Sequence, residues 1–319
     1  MKKVTILGAG AYSIALSRIL NGNGVDVTLY TKFTEEKELL ERERGNEKLL
    51  PGVKLGDKTD VSDNIAVVDD SELIVSCVPS DATRSVIGDL KPHYNGQVIC
   101  IATKGVEKET GYFMDQIITD ELPDAKVCAL SGPSFAAEIA RFLPTAVTVA
   151  GPKELTGIVS SYFSNDKFEI EETTDVRGAL ICGAFNNILA VGAGILVAEN
   201  AGDNALATLT VNGLHEIGII CKDSGGENAT AYMSCGLGEA AMKCVGSMSR
   251  NKRFGMLIGE GHPLDAVLAD CGTVEGYRAL KGAKKLIVAD NLKAPVISTI
   301  CDIVLDGANP DLLITAICK

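Results

Sequence analysis

A glycine turn near the amino terminus could bind a phosphate through its backbone. Residues 4–15 read V-T-I-L-G-A-G-A-Y-S-I-A, which predicts a strand, a turn and a helix. Gly8 permits the tight turn, Gly10 lets a pyrophosphate approach the main chain, and the free N–H groups of the helix bind the anion. Ser13 replaces the third glycine of the G-x-G-x-x-G pattern, but a second strand at residues 25–30 follows at βαβ spacing. These residues predict a dinucleotide-binding turn, with an ordinary strand–turn–helix as the alternative.

The end of the second strand bears on the choice of dinucleotide. A site that prefers NAD usually has Asp or Glu there, to accept from the ribose 2′-hydroxyl. This chain has Tyr30, Thr31 and Lys32, with no acid before Glu35. Lys32 could pair with the 2′-phosphate of NADP, because a cation suits a dianion. We therefore expect NAD or NADP as cofactor, with NADP tolerated or preferred; a solvated loop lysine is the alternative.

Alternating strands and helices must position these residues. Short apolar runs separated by polar helical stretches predict a parallel, doubly wound Rossmann-like sheet covered on both faces. The predicted strands are Val4–Leu7, Val27–Tyr30, Leu73–Val78, Val98–Ala102, Lys126–Leu130 and Ala146–Val149. Ligands of open α/β sheets lie beyond the carboxyl ends of the strands. Lys104, just after Ala102, is thus placed where a substrate would lie, with an ordinary surface lysine as the alternative.

The pattern changes from about Asp175 onward. Helical sequence rich in small residues dominates, as in Gly178–Ala193 and Asn204–Lys222, and glycine and alanine permit close contacts between helices. We therefore predict two domains, a dinucleotide-binding α/β domain at residues 1–172 and an all-α substrate-binding domain at residues 173–319. A chain of 319 residues is long enough for both cores.

Charge and composition exclude several classes of partner. With 30 basic and 42 acidic residues, the net charge is −12, which disfavours nucleic acid and anionic membranes, since both need a basic face. We expect no signal peptide and no membrane insertion, because the apolar stretches are short or interrupted by glycine and none is expected to reach the length of a spanning helix. The ten cysteines occur singly and are expected as buried, reduced thiols of a cytoplasmic protein. The three histidines lack ligand spacing, so no metal site is expected.

Six short sequence strings along the chain are informative together, because of their order and spacing. They are Leu50-Pro51-Gly52-Val53, Ala102-Thr103-Lys104-Gly105, Ser131-Gly132-Pro133-Ser134-Phe135-Ala136, Gly183-Ala184-Phe185-Asn186-Asn187, Ser249-Arg250-Asn251-Lys252-Arg253-Phe254-Gly255 and Val274-Glu275-Gly276. Together they closely resemble the NAD(P)-dependent glycerol-3-phosphate dehydrogenase family, across nearly the whole chain. The resemblance implies interconversion of dihydroxyacetone phosphate and sn-glycerol 3-phosphate, with a small phosphorylated molecule as substrate.

The resemblance also implies roles for matching residues. The implied cofactor contacts are Gly8, Gly10, Ala11, Tyr12, Lys32, Pro79, Lys104, Ala136, Arg250 and Glu275. The implied substrate contacts are Lys104, Gly132, Ser134, Ser249, Arg250 and Asn251. A guanidinium beside two hydrogen-bonding side chains suits a phosphate dianion, and a helix-terminal charge is the alternative for Arg250.

Four polar positions depart from the family pattern. The family string G-A-L-K-N, whose lysine is the general acid and base, corresponds here to a string with Asn186 in place of lysine, although Asn187 matches. The aspartate of the family string G-D-L is replaced here by Glu239. The lysine and the arginine of the family helix N-A-K…T-R-G are replaced by Leu206 and Asn212. Asparagine donates a hydrogen bond but cannot supply a proton. The chain should therefore be a poor dehydrogenase unless another group replaces the lysine.

Lys243 is a candidate replacement. It lies four residues after Glu239, on the same face of a helix, where the family has a threonine that lines the active site. Burial and a neighbouring cation can bring a lysine toward neutrality, whereas Glu239 opposes this. We expect Lys104, Lys243, Asn186, Asn187 and Glu239 to form the catalytic set, with the ammonium moved to Lys243 or supplied by Lys104 alone. A surface Glu–Lys pair is the alternative.

Three interpretations of the whole chain follow. The first is an NAD(P)H-dependent oxidoreductase of the glycerol-3-phosphate dehydrogenase type, and the second acts on a different small phosphorylated polyol. The third is a catalytically weak nucleotide-binding protein that serves as a sensor or structural subunit. The phosphate-binding residues favour an enzyme, and the loss of the lysine favours the third interpretation. The helical second domain is compatible with a homodimer.

Overall fold

The computed structural model describes residues 2–246, 249–272 and 274–318 and divides into two compact units. The first unit comprises Met1–Thr103 and Tyr112–Val176, and the second comprises Lys104–Gly111 and Arg177–Lys319. The main division thus falls four residues beyond the expected boundary near residue 172, because the last strand of the sheet continues to Thr173. Residues 104–111 were expected in the first domain but lie with the second unit.

The first unit is built on an eight-stranded sheet. The strands are β1 (Lys3–Leu7), β2 (Asp26–Tyr30), β3 (Thr59–Ser62), β4 (Leu73–Ser76), β5 (Val98–Ile101), β6 (Lys126–Ser131), β7 (Thr145–Ala150) and β8 (Phe168–Thr173). Their order in the sheet is β3-β2-β1-β4-β5-β6-β7-β8. Every residue of β4 and β5 is buried, as expected for central strands covered on both faces. The α/β class and the six predicted strands are confirmed.

Two strands and one strand direction were not predicted. β3 and β8 are the edges of the sheet, and each carries exposed polar residues, so neither shows the continuous apolar run of a central strand. The expectation of a wholly parallel sheet is wrong at one pair, because β7 runs antiparallel to β6 with Leu130 opposite Val149. All other neighbouring strands are parallel.

Helices connect these strands. They are α1 (Ala11–Gly22), α2 (Thr34–Glu43), α3 (Ser80–Leu90), α4 (Met114–Glu121), α5 (Ala136–Ile139) and α6 (Lys153–Phe163), with short 3-10 helices at Ile65–Asp70 and Lys91–His93. The hydrophobic core packs strand residues such as Ile6 and Leu29 against α1 residues such as Leu16. This packing fixes the turn between β1 and α1 at the carboxyl edge of the sheet.

The named secondary-structure elements in the described part of the second unit are all helices, as expected. Its helices are α7 (Val176–Ala198), α8 (Asp203–Asp223), α9 (Glu239–Val245), α10 (Arg250–Gly259), α11 (Leu264–Cys271), α12 (Glu275–Ala289), α13 (Pro295–Asp306) and α14 (Leu312–Ala316). A 3-10 helix at Asn228–Tyr232 and a π-helix at Ser234–Gly238 precede α9. The short segment from residue 104 joins this unit, since a Cβ on Gly282 of α12 would lie 3.0 Å from Val106.

The central helix α7 corrects one expectation. Among the described residues, it is the one helix long and apolar enough to cross a membrane, although no such stretch was expected. Its glycines do not interrupt it, because tertiary packing stabilises a buried helix beyond intrinsic propensity. In its most apolar window of 18 residues, 94% are buried inside the protein, so α7 forms the core of the second unit.

Seven of the ten cysteines are buried, as their apolar sequence context predicts. Burial raises the pKa of Cys128 to about 12, and the charge of Glu172 adds to this rise. Burial also raises the pKa of Cys301 to about 12. Such thiols pack as small apolar groups, because the reactive thiolate is strongly disfavoured.

A carboxylate from α8 caps the start of α13. Glu216 is 4% exposed, and its two oxygens accept hydrogen bonds from the N–H groups of Val296, at 2.7 Å, and Ile297, at 2.8 Å. Pro295, the first residue of α13, has no N–H to satisfy. Burial raises the pKa of Glu216 to about 7, and the two amide donors oppose the rise. This residue therefore satisfies backbone donors that have no partner within the helix.

We expect Glu216→Ala to lower the free energy of unfolding by about 2–4 kcal/mol, because it leaves two buried N–H groups without an acceptor. Glu216→Gln is the matched control, since its carbonyl oxygen keeps one of the two acceptors. Urea unfolding followed by circular dichroism measures both variants. Equal losses for alanine and glutamine would contradict the capping role.

Candidate functional site

The glycine turn of the first unit has room for an anion over its backbone. Gly8 has a φ of +107°, and its N–H donates to the carbonyl of Tyr30 at 2.7 Å. A Cβ on Gly8 would lie 3.1 Å from the carbonyl oxygen of Cys77, so only glycine fits without strain. A Cβ on Gly10 would meet nothing within 4 Å in the described structure. Gly10 precedes α1, which starts at Ala11 with no side-chain cap and no acid in its first turn.

A buried hydroxyl lies at the same edge of the sheet. Ser80 begins α3 directly after Pro79, and β4, the strand that leads to it, pairs with β1. The Ser80 hydroxyl is buried and has no hydrogen-bond partner among the residues that the structure describes. Buried polar groups are normally satisfied. The open glycine turn and this unsatisfied hydroxyl fit a dinucleotide whose pyrophosphate lies at the start of α1.

Three of the sequence-predicted residues meet beside α1. The hydroxyl of Tyr12 is hydrogen-bonded to Ser134 Oγ at 3.0 Å, and Ser134 Oγ donates to the carbonyl of Gly132 at 2.8 Å. Gly132 has a φ of +155°, and a Cβ there would lie 2.9 Å from Cα of Val147, so a side chain is excluded. Ala136, also predicted, begins α5 after the same loop. The structure therefore groups the predicted residues of this loop with the glycine turn.

Lys32 is not a free cation. Its ammonium forms an ion pair with Asp89 and donates to Ser85 Oγ at 2.9 Å, and both partners lie on α3. An acid that we did not predict lies at the end of β2 instead, because Thr31 Oγ1 donates to Glu36 Oε2 at 2.5 Å. The signal in the sequence was a threonine after the strand, followed by an acid in the first turn of the next helix.

The second unit contains a buried cluster of two ammonium groups and one carboxylate. Glu239 is 0% exposed, and its Oε1 forms ion pairs with Lys104 and with Lys243, the latter at 2.6 Å. Burial raises the pKa of Glu239, but the two ammonium groups outweigh it and lower this pKa below its usual value. Glu239 is therefore a carboxylate at neutral pH.

The pKa of Lys243 is low enough for this lysine to act as an acid and a base near neutral pH. Its burial lowers its pKa from 10.5 to about 8, Glu239 opposes the shift, and the charge of Lys104 adds to it. The spacing of Glu239 and Lys243 predicted a pair on one helix face, and this pair is confirmed. The alternative of an exposed surface pair is wrong, because the Lys243 side chain is only 9% exposed.

Two asparagines hold Lys243 in place. Asn187 Oδ1 accepts from Lys243 Nζ at 2.5 Å and from Asn251 Nδ2 at 2.7 Å. Asn251 Oδ1 accepts in turn from the N–H of Gly276 at 2.9 Å, and Asn187 Nδ2 donates to the carbonyl of Gly183 at 3.1 Å. Every polar atom of the two amides is thus engaged, which fixes their orientation. A chain of hydrogen bonds connects the start of α12 to the Lys243 ammonium.

Glycines bring these helices together. A Cβ on Gly255 of α10 would overlap the carbonyl of Val191 on α7, and a Cβ on Gly194 of α7 would overlap the carbonyl of Lys252 on α10. The two backbones are therefore in direct contact. Asn187 lies one turn before Val191, and Asn251 lies one turn before Gly255, so the close packing sets the distance between the two amides.

Asn186 contacts the backbone that leads into Glu239. It is 0% exposed, and its Nδ2 donates to the carbonyls of Cys235, at 2.9 Å, and Gly236, at 3.0 Å. Both carbonyls belong to the π-helix that leads into Glu239. Asn186 thus anchors the backbone before α9. Asn212, another altered position, donates to the carbonyl of Ile317 at 2.7 Å, and Leu206 is half-buried on the same helix.

The predicted phosphate-binding residues lie at the start of α10. Ser249 caps the helix by accepting from the N–H of Lys252, and Asn251 is engaged with Asn187, so its side chain is not a free phosphate ligand. Arg250 is exposed and forms no hydrogen bond or ion pair with a described residue. Glu275, the first residue of α12, lies 3.8 Å from Arg278. Arg250 is therefore the side chain of this group that can accept an anion.

Both parts of the chain match models of one family. The N-terminal model of NAD-dependent glycerol-3-phosphate dehydrogenase matches residues 3–156, and the C-terminal model matches residues 175–315. A glycerol-3-phosphate dehydrogenase (NAD(P)+) of Fusobacterium nucleatum is 35% identical over 315 residues, which cover 97% of this chain and 94% of that protein. The glycerol-3-phosphate dehydrogenase (NAD(P)+) of Halorhodospira halophila is 35% identical over 305 residues, which cover 94% of this chain and 92% of that protein.

Solved structures agree with these matches. A crystal structure of glycerol-3-phosphate dehydrogenase from Coxiella burnetii is similar with a TM-score of 0.93 and 27% identity, over 100% of this chain and 99% of that one. The glycerol-3-phosphate dehydrogenase of Saccharomyces cerevisiae has a TM-score of 0.87 at 23% identity, over 100% and 99% of the two chains. At that identity the likeness supports the fold alone.

Proposed function

This chain belongs to the NAD(P)-dependent glycerol-3-phosphate dehydrogenase family, and we propose that its proton donor is Lys243. It is an oxidoreductase that interconverts dihydroxyacetone phosphate and sn-glycerol 3-phosphate with NAD(P)H, as the six sequence strings predicted. The observation that carries the proposal is the buried Lys243 ammonium, held by Glu239 and Asn187. A protein that only senses or binds a nucleotide has no need of such a group.

The bound nicotinamide cofactor supplies the hydride in reduction and accepts it in oxidation. Reduction of the ketone also needs a proton at the carbonyl oxygen. Lys243 Nζ donates that proton, and the neutral amine takes it back from the hydroxyl in the reverse direction. A pKa of about 8 suits both directions, because general acids and bases work best near the operating pH.

The contacts of Lys243 leave one N–H for the substrate. An ammonium has three N–H groups, and two of them are directed at Glu239 Oε1 and Asn187 Oδ1. The third donates to no residue in the described part of the chain. Holding two of the three N–H groups orients the third, which reduces the cost of positioning the proton for transfer.

Lys104 and Glu239 adjust the charge of the donor. The ammonium of Lys104 lowers the pKa of Lys243, in addition to the larger effect of burial, and Glu239 opposes both. Glu239 also keeps the buried cluster from carrying two uncompensated positive charges. In this proposal Lys104 contacts the substrate, whereas Glu239 and Asn187 position Lys243.

The substrate phosphate is assigned to the start of α10. Arg250 supplies a guanidinium, which binds phosphate through two parallel hydrogen bonds. The first turn of α10 contains no acid, so the N-terminal end of the helix also favours a dianion. The net charge of −12 disfavours nucleic acid and anionic membrane surfaces as partners, so a small phosphorylated substrate depends on local cations such as Arg250. We propose a cytoplasmic enzyme. We also propose a homodimer, because the second unit consists of helices rich in small residues, a composition that is compatible with dimers.

The proposal predicts a defined pH dependence. The purified protein should oxidise NADH or NADPH on addition of dihydroxyacetone phosphate, at a rate that falls about tenfold per unit above pH 8, the pKa of Lys243. Oxidation of glycerol 3-phosphate should rise toward pH 8 and then level off, because it needs the neutral amine. Absorbance at the nicotinamide band measures both rates. Absence of turnover would refute the activity, and pH profiles without a break near 8 would refute Lys243 as donor.

A further inference from the structure

We infer that the first unit selects NAD(H) over NADP(H), through Glu36 as acceptor for the adenosine ribose and Asp89 as the partner that occupies Lys32. The inference rests on the proposed function and specifies its cofactor. It reverses the preference for NADP that Lys32 alone suggested, because the carboxylates of Glu36 and Asp89 set the charge around the adenosine ribose.

The carboxylate of Glu36 lies at the end of β2, beside the glycine turn. Thr31 directly follows β2, and its hydroxyl accepts from the N–H of Phe33 at 3.2 Å while it donates to Glu36 Oε2 at 2.5 Å. These two bonds fix the direction of the hydroxyl and the place of the carboxylate. The neighbouring Tyr30 carbonyl accepts from the N–H of Gly8 at 2.7 Å, so this strand end adjoins the turn that would hold the pyrophosphate.

Glu36 has an oxygen available for a ribose hydroxyl. Its Oε2 is engaged with Thr31, whereas its Oε1 has no hydrogen bond to any residue that the structure describes. A carboxylate at the end of the second strand of a dinucleotide-binding fold accepts from the ribose 2′-hydroxyl. The same carboxylate repels a 2′-phosphate, which carries two negative charges and no hydrogen to donate.

Lys32 does not compensate for this repulsion. Its ammonium is bound by the Asp89 carboxylate and by Ser85 Oγ, both on α3. A 2′-phosphate that recruited Lys32 would have to displace Asp89 and would leave a second carboxylate unpaired nearby. Lys37, the lysine within α2, is itself paired with Asp63 at 3.1 Å. The three groups Glu36, Lys32 and Asp89 therefore carry two negative charges against one positive charge.

Binding measurements test this inference without reference to turnover. The chain has no tryptophan, so the fluorescence of the bound nicotinamide can be followed directly in titrations with NADH and NADPH. We expect the wild type to bind NADH at least about tenfold more tightly than NADPH, which corresponds to one charge-assisted hydrogen bond gained or lost.

Three variants assign the selectivity to its residues. Glu36→Gln should weaken NADH and strengthen NADPH, so that the ratio of the two dissociation constants falls about tenfold. Asp89→Asn should strengthen NADPH and leave NADH unchanged, because it releases Lys32. Glu35→Gln is the matched control: it removes the same charge from the adjacent exposed residue, which makes no bond to Thr31, and should change the ratio little.

The outcomes separate the two proposals. Equal affinities, tighter binding of NADPH, or an unchanged ratio in Glu36→Gln would overturn the selectivity and leave the proposed dehydrogenase activity intact. Failure of the wild type to bind either dinucleotide would overturn both.

Discussion

Replacement of Lys243 by methionine is expected to lower kcat by about 10²–10⁴-fold, the usual contribution of a general acid and base. Methionine keeps an unbranched apolar side chain in the buried site but has no proton to transfer. The substrate phosphate is assigned to α10, so KM for dihydroxyacetone phosphate should change much less than kcat. Steady-state kinetics at pH 7 in the direction of ketone reduction measures both constants.

The pH profile distinguishes loss of the donor from a packing defect. The residual activity of Lys243→Met should no longer fall above pH 8, because the group that titrates there is absent. Lys284→Met is a suitable control, since it removes an ammonium that is paired with surface acids of the same unit, and it should keep full activity. Unchanged turnover in Lys243→Met would refute the assignment of the proton donor.

Replacement of Glu239 by alanine is expected to lower the free energy of unfolding by about 3–5 kcal/mol at pH 7, because it leaves buried positive charge without its partner. The pKa of Glu239 is lowered in the folded state. Its stabilising contribution is therefore present above the pKa of the unfolded chain and is lost as the pH falls through the folded value. Chemical unfolding at pH 7 measures the loss.

The loss should depend on pH in a predictable direction. Above pH 8 the lowered pKa of Lys243 lets this lysine lose its proton, so removal of Glu239 should cost less at pH 9.5 than at pH 7. Glu260→Ala, which removes an exposed acid from the end of α10, should change stability by less than about 0.5 kcal/mol. A loss in Glu239→Ala no larger than in this control would show that the buried cluster does not stabilise the fold.

The centre of the sheet was predictable from sequence, whereas its edges were not. Buried parallel strands are continuous apolar runs, and β4 and β5 show this clearly. In β8, F-E-I-E-E-T, acids alternate with apolar residues, because one face of an edge strand meets solvent. The reversed direction of β7 leaves no local signal, since strand direction depends on how a connection crosses the sheet rather than on the residues of the strand.

The site was predictable where residues are close in sequence. The four-residue spacing of Glu239 and Lys243 on one helix predicted their contact, which the structure confirms. The Lys104 partner of the same carboxylate lies 135 residues away. Local spacing could not show this ion pair, and only the family resemblance placed Lys104 and Glu239 in one expected catalytic set. Glu36 was overlooked because it reaches the end of β2 only by folding back from the first turn of α2.

Residues 104–111 belong to the second unit, although the sequence on both sides of them belongs to the first unit. The helical unit is not one continuous stretch of sequence, and the Glu239 carboxylate is paired with Lys104 from the N-terminal part of the chain. A recombinant that joined two relatives after residue 176 would take the two partners of this ion pair from different parents. Such a chimera carries this ion pair only if its N-terminal parent has a lysine at position 104 and its C-terminal parent has an acid at position 239.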